Sequence, residues 1–165
     1  MENRTIRVMF FCLGNICRSP LGEGLFVHKA KERGIGHRFH VESSGTSAYH
    51  VGEAPDPGSQ RVALARGGFD ISHQRSQQLT RSHLNDFDYV VAMDRSNRRA
   101  AESLGSGASI LLLRDFEDEA RHRGSDVPDP WGGGPRGFEN VYDIVDRCCE
   151  RLLDTILQEV DDLSE

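Results

Sequence analysis

Lysine is nearly missing from this chain. Of its 20 basic residues only Lys29 and Lys31 are lysines, and 26 acidic residues bring the net charge to −6. That balance leaves no global basic footprint for nucleic acid. Long apolar runs are missing too. No stretch approaches the ~18 residues of a membrane span. The apolar segment 8–13 is too short for a signal peptide and runs into Gly14-Asn15 rather than a small-residue cleavage site. A disulfide framework is also absent, because the four cysteines fall in two close groups, Cys12/Cys17 and Cys148/Cys149. That usage suits a reducing cytosol, so the expected location is cytoplasmic. Neither cysteine spacing nor nearby histidines suit zinc, and no metal or cofactor is expected. The 165 residues read as one domain over 1–165, with an acidic tail from about 161.

What is present alternates between apolar strands and helices. Segment 5–11 is a continuous apolar run, as in a strand buried on both faces. A helix is expected from Pro20 to about Arg33, with Leu21, Leu25, Phe26 and Ala30 on one side and Gly34 after its end. Segment 39–44 reads as a second strand, 87–93 as a third and 110–113 as a short fourth. Loop 45–60 precedes a helix from about Ser59 to Arg66, segment 69–81 is irregular, and Thr80 or Ser82 can cap a short turn. Asp94 reads as the N-cap of a helix to about Leu104 and as an acidic group near the site, with no catalytic step assigned. A charged, Gly- and Pro-rich loop covers 114–137. The spacing Val141, Val145, Cys148, Leu152, Ile156, Val160 predicts a final amphipathic helix from Phe138. This pattern predicts a three-layer α/β domain with a four-stranded parallel sheet, order 2-1-3-4, flavodoxin-like, with helices on both faces. Ligands of such sheets bind beyond the carboxyl ends of the strands, at the switch point between the first and third.

The segment at that point is Cys12-Leu13-Gly14-Asn15-Ile16-Cys17-Arg18-Ser19-Pro20. Only a thiolate attacks, and a thiol pKa of about 8.5 falls beside a cation or a helix N-terminus. Ser19 reads as an N-cap and Pro20 as the first helical residue, so unpaired backbone N–H groups and the positive dipole end converge on the loop. Residues 13–19 would cradle a tetrahedral oxyanion. Arg18 adds a planar fork for two of its oxygens, with the Cys12 sulfur in line behind the central atom. Asn15 sits where a tight loop needs a positive φ, which asparagine tolerates.

The spacing Cys-x5-Arg-Ser is the signature of cysteine-dependent phosphatases, and the longer stretch Cys12 to Pro20 resembles the low-molecular-weight protein tyrosine phosphatase family. Two further stretches, Ala92-Met93-Asp94 and Asp126-Val127-Pro128-Asp129-Pro130-Trp131, extend the resemblance over most of the chain. The resemblance implies that Asn15 is structural, tied to Ser19, to Ser43 and to a histidine matched by His73. It also implies a reversible disulfide between Cys17 and Cys12, which would divert an oxidised Cys12 from the irreversible sulfinic state. Ser19 would donate to the Cys12 sulfur and ease departure of the thiolate.

Cleaving an aryl phosphate needs an acid for the departing oxygen, and the same carboxylate can then activate water. Asp129 is the candidate, its backbone pushed toward extended geometry by Pro130. Where the family commonly has two aromatics after Asp-Pro, this chain has Trp131 followed by three glycines. Trp131 and Tyr49 can wall a slot deep enough for a phenyl ring and too deep for phosphoserine.

The expected activity is hydrolysis of protein phosphotyrosine through a phosphocysteine on Cys12, with Arg18 and Asp129 catalytic. The partners are a phosphotyrosine-containing protein and inorganic phosphate as product and inhibitor, the enzyme being a monomer. Arginine phosphatase and arsenate reductase are alternatives on the same scaffold. The first has a threonine at the position of Ile16, and the second needs a relay of mobile thiols, unlike adjacent Cys148-Cys149 in a helix. A non-catalytic phosphate-binding module or nucleotide carrier would need neither the thiol nor the acid.

Overall fold

The first strand explains its own lack of alternation. In a computed structural model that describes residues 4–164, β1 spans Ile6–Cys12. Its side chains divide by parity. Ile6, Val8 and Phe10 join a core with Leu21, Leu25, Val141 and Val145, whereas Met9 and Phe11 pack with Leu79, Leu84, Ala101 and Leu112 on the other face. Both faces are dry, so both parities must be apolar.

Strands β2 (Phe39–Gly45), β3 (Tyr89–Ala92) and β4 (Ile110–Leu112) complete a parallel sheet of order β2-β1-β3-β4, as expected. Helices α1 (Arg18–Glu32) and α5 (Pro135–Ser164) cover the first face, joined by α2 (Pro57–Val62) and a π turn at Ala63–Gly67. The second face is covered by α3 (Arg81–Asp86) and α4 (Arg95–Glu102). Lys29 on α1 bridges Asp146 and Glu150 of α5 at 2.7 and 2.9 Å. No helix among the described residues is long and apolar enough to cross a membrane.

Several boundaries differ from expectation. Helix α1 starts at Arg18, so Ser19 lies inside its first turn, and Cys17 holds the cap position without a side-chain bond. The Ser19 hydroxyl is engaged by tertiary partners, described below, and cannot cap. Pro20 is still tolerated, because the first four N–H groups of a helix have no intrahelical acceptor. Helix α2 begins two residues early, its Gly58 N–H donating to the Asp56 carboxylate at 2.8 Å. Thr80 and Asp94 cap α3 and α4, each in a reciprocal capping box with His83 and Asn97. The loop expected over 114–137 is cut into by a 3₁₀ turn at Leu113–Phe116 and by α5, which starts at Pro135 rather than Phe138, and holds a second 3₁₀ turn at Ala120–His122. The expected tail is helical through Ser164, and Glu165 lies outside the described residues.

Candidate active site

Cys12 ends β1 at the sheet's carboxyl edge, where β2 and β3 flank it in register with Gly45 and, one residue back, Ala92. Residues 13–17 then form a run of bends before α1. Among the described residues, none of their backbone N–H groups donates to a backbone carbonyl. A loop of unspent donors running into a helix N-terminus is an anion cradle.

Buried side chains fix the loop's shape. Asn15 takes a φ of 57°, the one positive value among the described non-glycine residues. Its Nδ2 donates to Ser19 Oγ at 2.8 Å and to Ser43 Oγ at 3.0 Å, and its Oδ1 accepts from Gln77 N–H at 3.0 Å. Ser76 Oγ donates to the Gly14 carbonyl at 3.1 Å. Strand β2 reaches the loop closely: a Cβ on Gly45 would lie 2.8 Å from Leu13 O and 3.0 Å from Gly14 C. Only glycine fits there.

His73 is the correction in this network. It lies exposed in a turn, and the third tie to Asn15 is the backbone N–H of Gln77. The neighbouring Gln74 is the side chain that turns inward, donating to the Pro20 carbonyl at 3.2 Å.

Cys12 is buried, 2% exposed as a residue, and its Sγ lies 3.0 Å from Ser19 Oγ. Arg18 is buried as well, its Nη1 donating to Asp94 Oδ2 at 2.7 Å and to the Val127 carbonyl at 3.0 Å. Burial opposes its charge, but Cys12, Asp94 and Asp129 outweigh that and raise its pKa. Asp94 is therefore both an N-cap and the arginine's counter-ion. Asp129 Oδ2 lies 3.9 Å from Arg18 Nη2, and its Oδ1 accepts from Trp131 N–H at 3.1 Å. That carboxylate is 48% exposed.

A cleft of about 480 Å³ joins these groups, lined by Cys12, Leu13, Gly14, Ile16, Cys17, Arg18, Asp129, Tyr49 and Trp131. Ser47 and His50, not expected from sequence, complete its wall. The His50 ring packs edge-on against Tyr49 and bonds Glu53 through Nδ1 at 2.9 Å. The length of loop 45–60 is the one sequence signal that points to further lining residues there. Tyr49 and Trp131 stand exposed at the rim. Cys17 is buried, and burial followed by Asp56, Cys12 and Asp129 pushes its thiol far up, with Arg18 opposing. A buried sulfur beneath a rim of aromatics, flanked by a guanidinium and a wet carboxylate, can accept and release a phosphoryl group.

The family model for low molecular weight phosphotyrosine protein phosphatase matches residues 7–162. A low molecular weight protein-tyrosine-phosphatase of Streptomyces coelicolor is 37% identical over 161 residues, 95% of this chain and 97% of that protein. The crystal structure of YfkJ from Bacillus subtilis superposes with a TM-score of 0.87 at 35% identity, covering 96% of this chain and 99% of that one. A Drosophila arginine phosphatase superposes with a TM-score of 0.81 at 28% identity, covering 92% and 98%.

Proposed function

Because the chain belongs to the low molecular weight phosphotyrosine protein phosphatase family, we propose that it hydrolyses phosphotyrosine in proteins through Cys12, Arg18 and Asp129. The observation that carries this reading is the convergence of those three side chains on one aromatic-rimmed cleft. The Cys12 thiolate attacks phosphorus, forming an S–P bond as the P–O bond to the phenol breaks. Arg18 and the loop N–H groups hold the equatorial oxygens, and Asp129 gives its proton to the departing phenolate. Asp129, now a carboxylate, takes a proton from water that attacks phosphorus. The S–P bond breaks, the thiolate returns against Ser19 Oγ, and inorganic phosphate leaves. The chain acts in this reading as a cytoplasmic monomer.

Ile16, buried in the cleft wall, gives an apolar surface that favours an aryl ester over phosphoarginine. Arsenate reduction is disfavoured because Cys148 and Cys149 are fully buried. Burial pushes the Cys148 thiol up to about 12 and Cys149 well above its ordinary value. Neither is poised for thiol relay.

Cys12→Ser should abolish turnover of phosphotyrosine while phosphate still binds, read by calorimetry beside a steady-state assay. Retained turnover would remove Cys12 as the nucleophile. Wild-type turnover of phosphoarginine exceeding that of phosphotyrosine would move the assignment to the arginine branch.

A further inference from the structure

Asp129 lies between the 3₁₀ turn at Ala120–His122 and the start of α5, with no helix or strand to aim it. Beyond its own contacts with Trp131 N–H and Arg18, the ties of its loop to other elements lie upstream, on two residues. Asp126 Oδ1 accepts from Arg95 N–H at 3.0 Å and from Arg95 Nε at 3.2 Å, and the Asp126 carbonyl accepts from Arg114 Nη1 at 2.9 Å. Val127 N–H donates to Met93 O at 2.9 Å, and the Val127 carbonyl accepts from Arg18. Pro128 and Pro130 fix φ on both sides of Asp129, so the orientation set at 126–127 is carried forward to the carboxylate. Downstream, Gly132 and Gly134 have open space around them and φ values of 78° and 79°. Upstream the loop is clamped by side chains and backbone of other elements, whereas its downstream bonds are local, from Trp131 N–H to Asp129 Oδ1 and from Gly133 N–H to the Pro130 carbonyl at 2.9 Å.

We infer that Asp126, gripped by Arg95 at the start of α4, is a positioning residue that aims Asp129 at the leaving oxygen. The inference rests on Asp129 being the general acid. Arg95 and Asp126 side chains are 59% and 43% exposed, so losing the pair should leave the fold's stability nearly unchanged. A small misplacement of a catalytic group can still cost far more in rate.

The test is kcat/KM across aryl phosphates of decreasing leaving-group pKa, for wild type, Asp126→Ala, Arg95→Ala and Asp129→Ala. Asp126→Ala should lose about tenfold on phosphotyrosine and less than about twofold on a dinitrophenyl ester, because a poor leaving group depends most on the acid. Inhibition by inorganic phosphate should not change. Arg95→Ala should lose less, since its backbone N–H still reaches position 126. The Asp126→Ala/Arg95→Ala double variant should be no worse than Asp126→Ala alone, as for two members of one contact. An equal loss across all esters, no loss, or weakened phosphate inhibition in Asp126→Ala would overturn the positioning role. If Asp129→Ala itself loses no more on phosphotyrosine than on the dinitrophenyl ester, the acid assignment fails and the clamp with it. A steep Asp129→Ala response beside a flat Asp126→Ala response removes the clamp alone.

Discussion

The two loops that meet at the cleft are held by different forces. The phosphate loop, residues 12–19, is fixed by short bonds between mostly buried neutral groups: Asn15 to Ser19, Ser43 and Gln77, and the Thr46 and Ser47 N–H groups to the Cys12 and Leu13 carbonyls. The loop that carries Asp129 is held largely by charge, beside one backbone bond from Val127 N–H to the Met93 carbonyl. Arg18, Arg95 and Arg114 hold residues 126–127, and upstream the buried Glu117 is gripped by Arg114 at 2.8 Å and Arg147 at 2.6 Å. The chemistry accounts for the contrast. A cradle for a tetrahedral anion gains from donors fixed before the ligand arrives. In the proposed mechanism Asp129 loses and regains a proton each turnover, which requires contact with water, and its side chain is half exposed.

The contrast can be broken hardest at Gly45. A methyl group there would press on the backbone of Leu13, Gly14 and Asn15 at 2.8 to 3.1 Å, and backbone cannot yield as a flexible side chain can. Gly45→Ala should destabilise the fold by about 2–3 kcal/mol, the upper part of the range for overpacked sites, and weaken phosphate binding in parallel. Denaturant melts with phosphate titration read both. A Gly132→Ala change in the acid loop meets no neighbours and should cost only the left-handed backbone strain, about 1 kcal/mol.

Asn15→Gly separates backbone from side chain within the phosphate loop. Glycine keeps the φ of 57° without strain, so the loss reports the three side-chain bonds alone. With Ser19, Ser43 and the Gln77 N–H each losing a buried partner, kcat/KM should fall at least tenfold, about 1.4 kcal/mol or more. The loss should be equal for good and poor leaving groups. That uniformity distinguishes it from a defect in the acid loop.

These same bonds mark how far the sequence could be read. The strand order, the switch-point placement and the positive φ of Asn15 follow from apolar runs and from asparagine's tolerance of left-handed backbone. The placement of Asp129 in the cleft with Cys12 and Arg18 was legible because acid chemistry beside Cys-x5-Arg calls for a carboxylate on a restricted loop. His73 misled because Asn15 is tied by a backbone N–H, and every non-proline residue carries one. The side chain at position 77 therefore leaves no trace of the bond. Ser19 looked like a cap because its local context is that of a cap, whereas its hydroxyl is claimed by Asn15 and Cys12 in the folded chain. The grip of Arg95 on Asp126 joins residues 31 apart in sequence and has no local signature.

The contrast is tested most directly by pH and by salt. Ser43 Oγ, which accepts from Asn15, donates to Glu23 Oε1 at 2.8 Å. Burial pushes the Glu23 carboxyl up to about 7; the Ser43 bond opposes the shift and nearby Glu42 adds to it, with His40 opposing. A folded pKa above the unfolded value means that the folded state holds the extra proton between the two values. Stability is therefore full below about 4.5 and falls as pH rises through about 7. Glu23→Gln keeps an acceptor for Ser43 but has no charge to bury. It should match wild type near pH 4.5 and exceed it at pH 8 by on the order of 1–2 kcal/mol, a rise in Tm of about 2–8 °C. Added salt should barely alter that difference, because the group is shielded from solvent ions. The leaving-group dependence set by Arg95 and Asp126 should instead respond to salt, because exposed pairs are screened within about 10 Å at 0.1 M. A pH-independent Glu23→Gln difference would show that the phosphate loop's support is not proton-linked, and the two loops would then differ in burial alone.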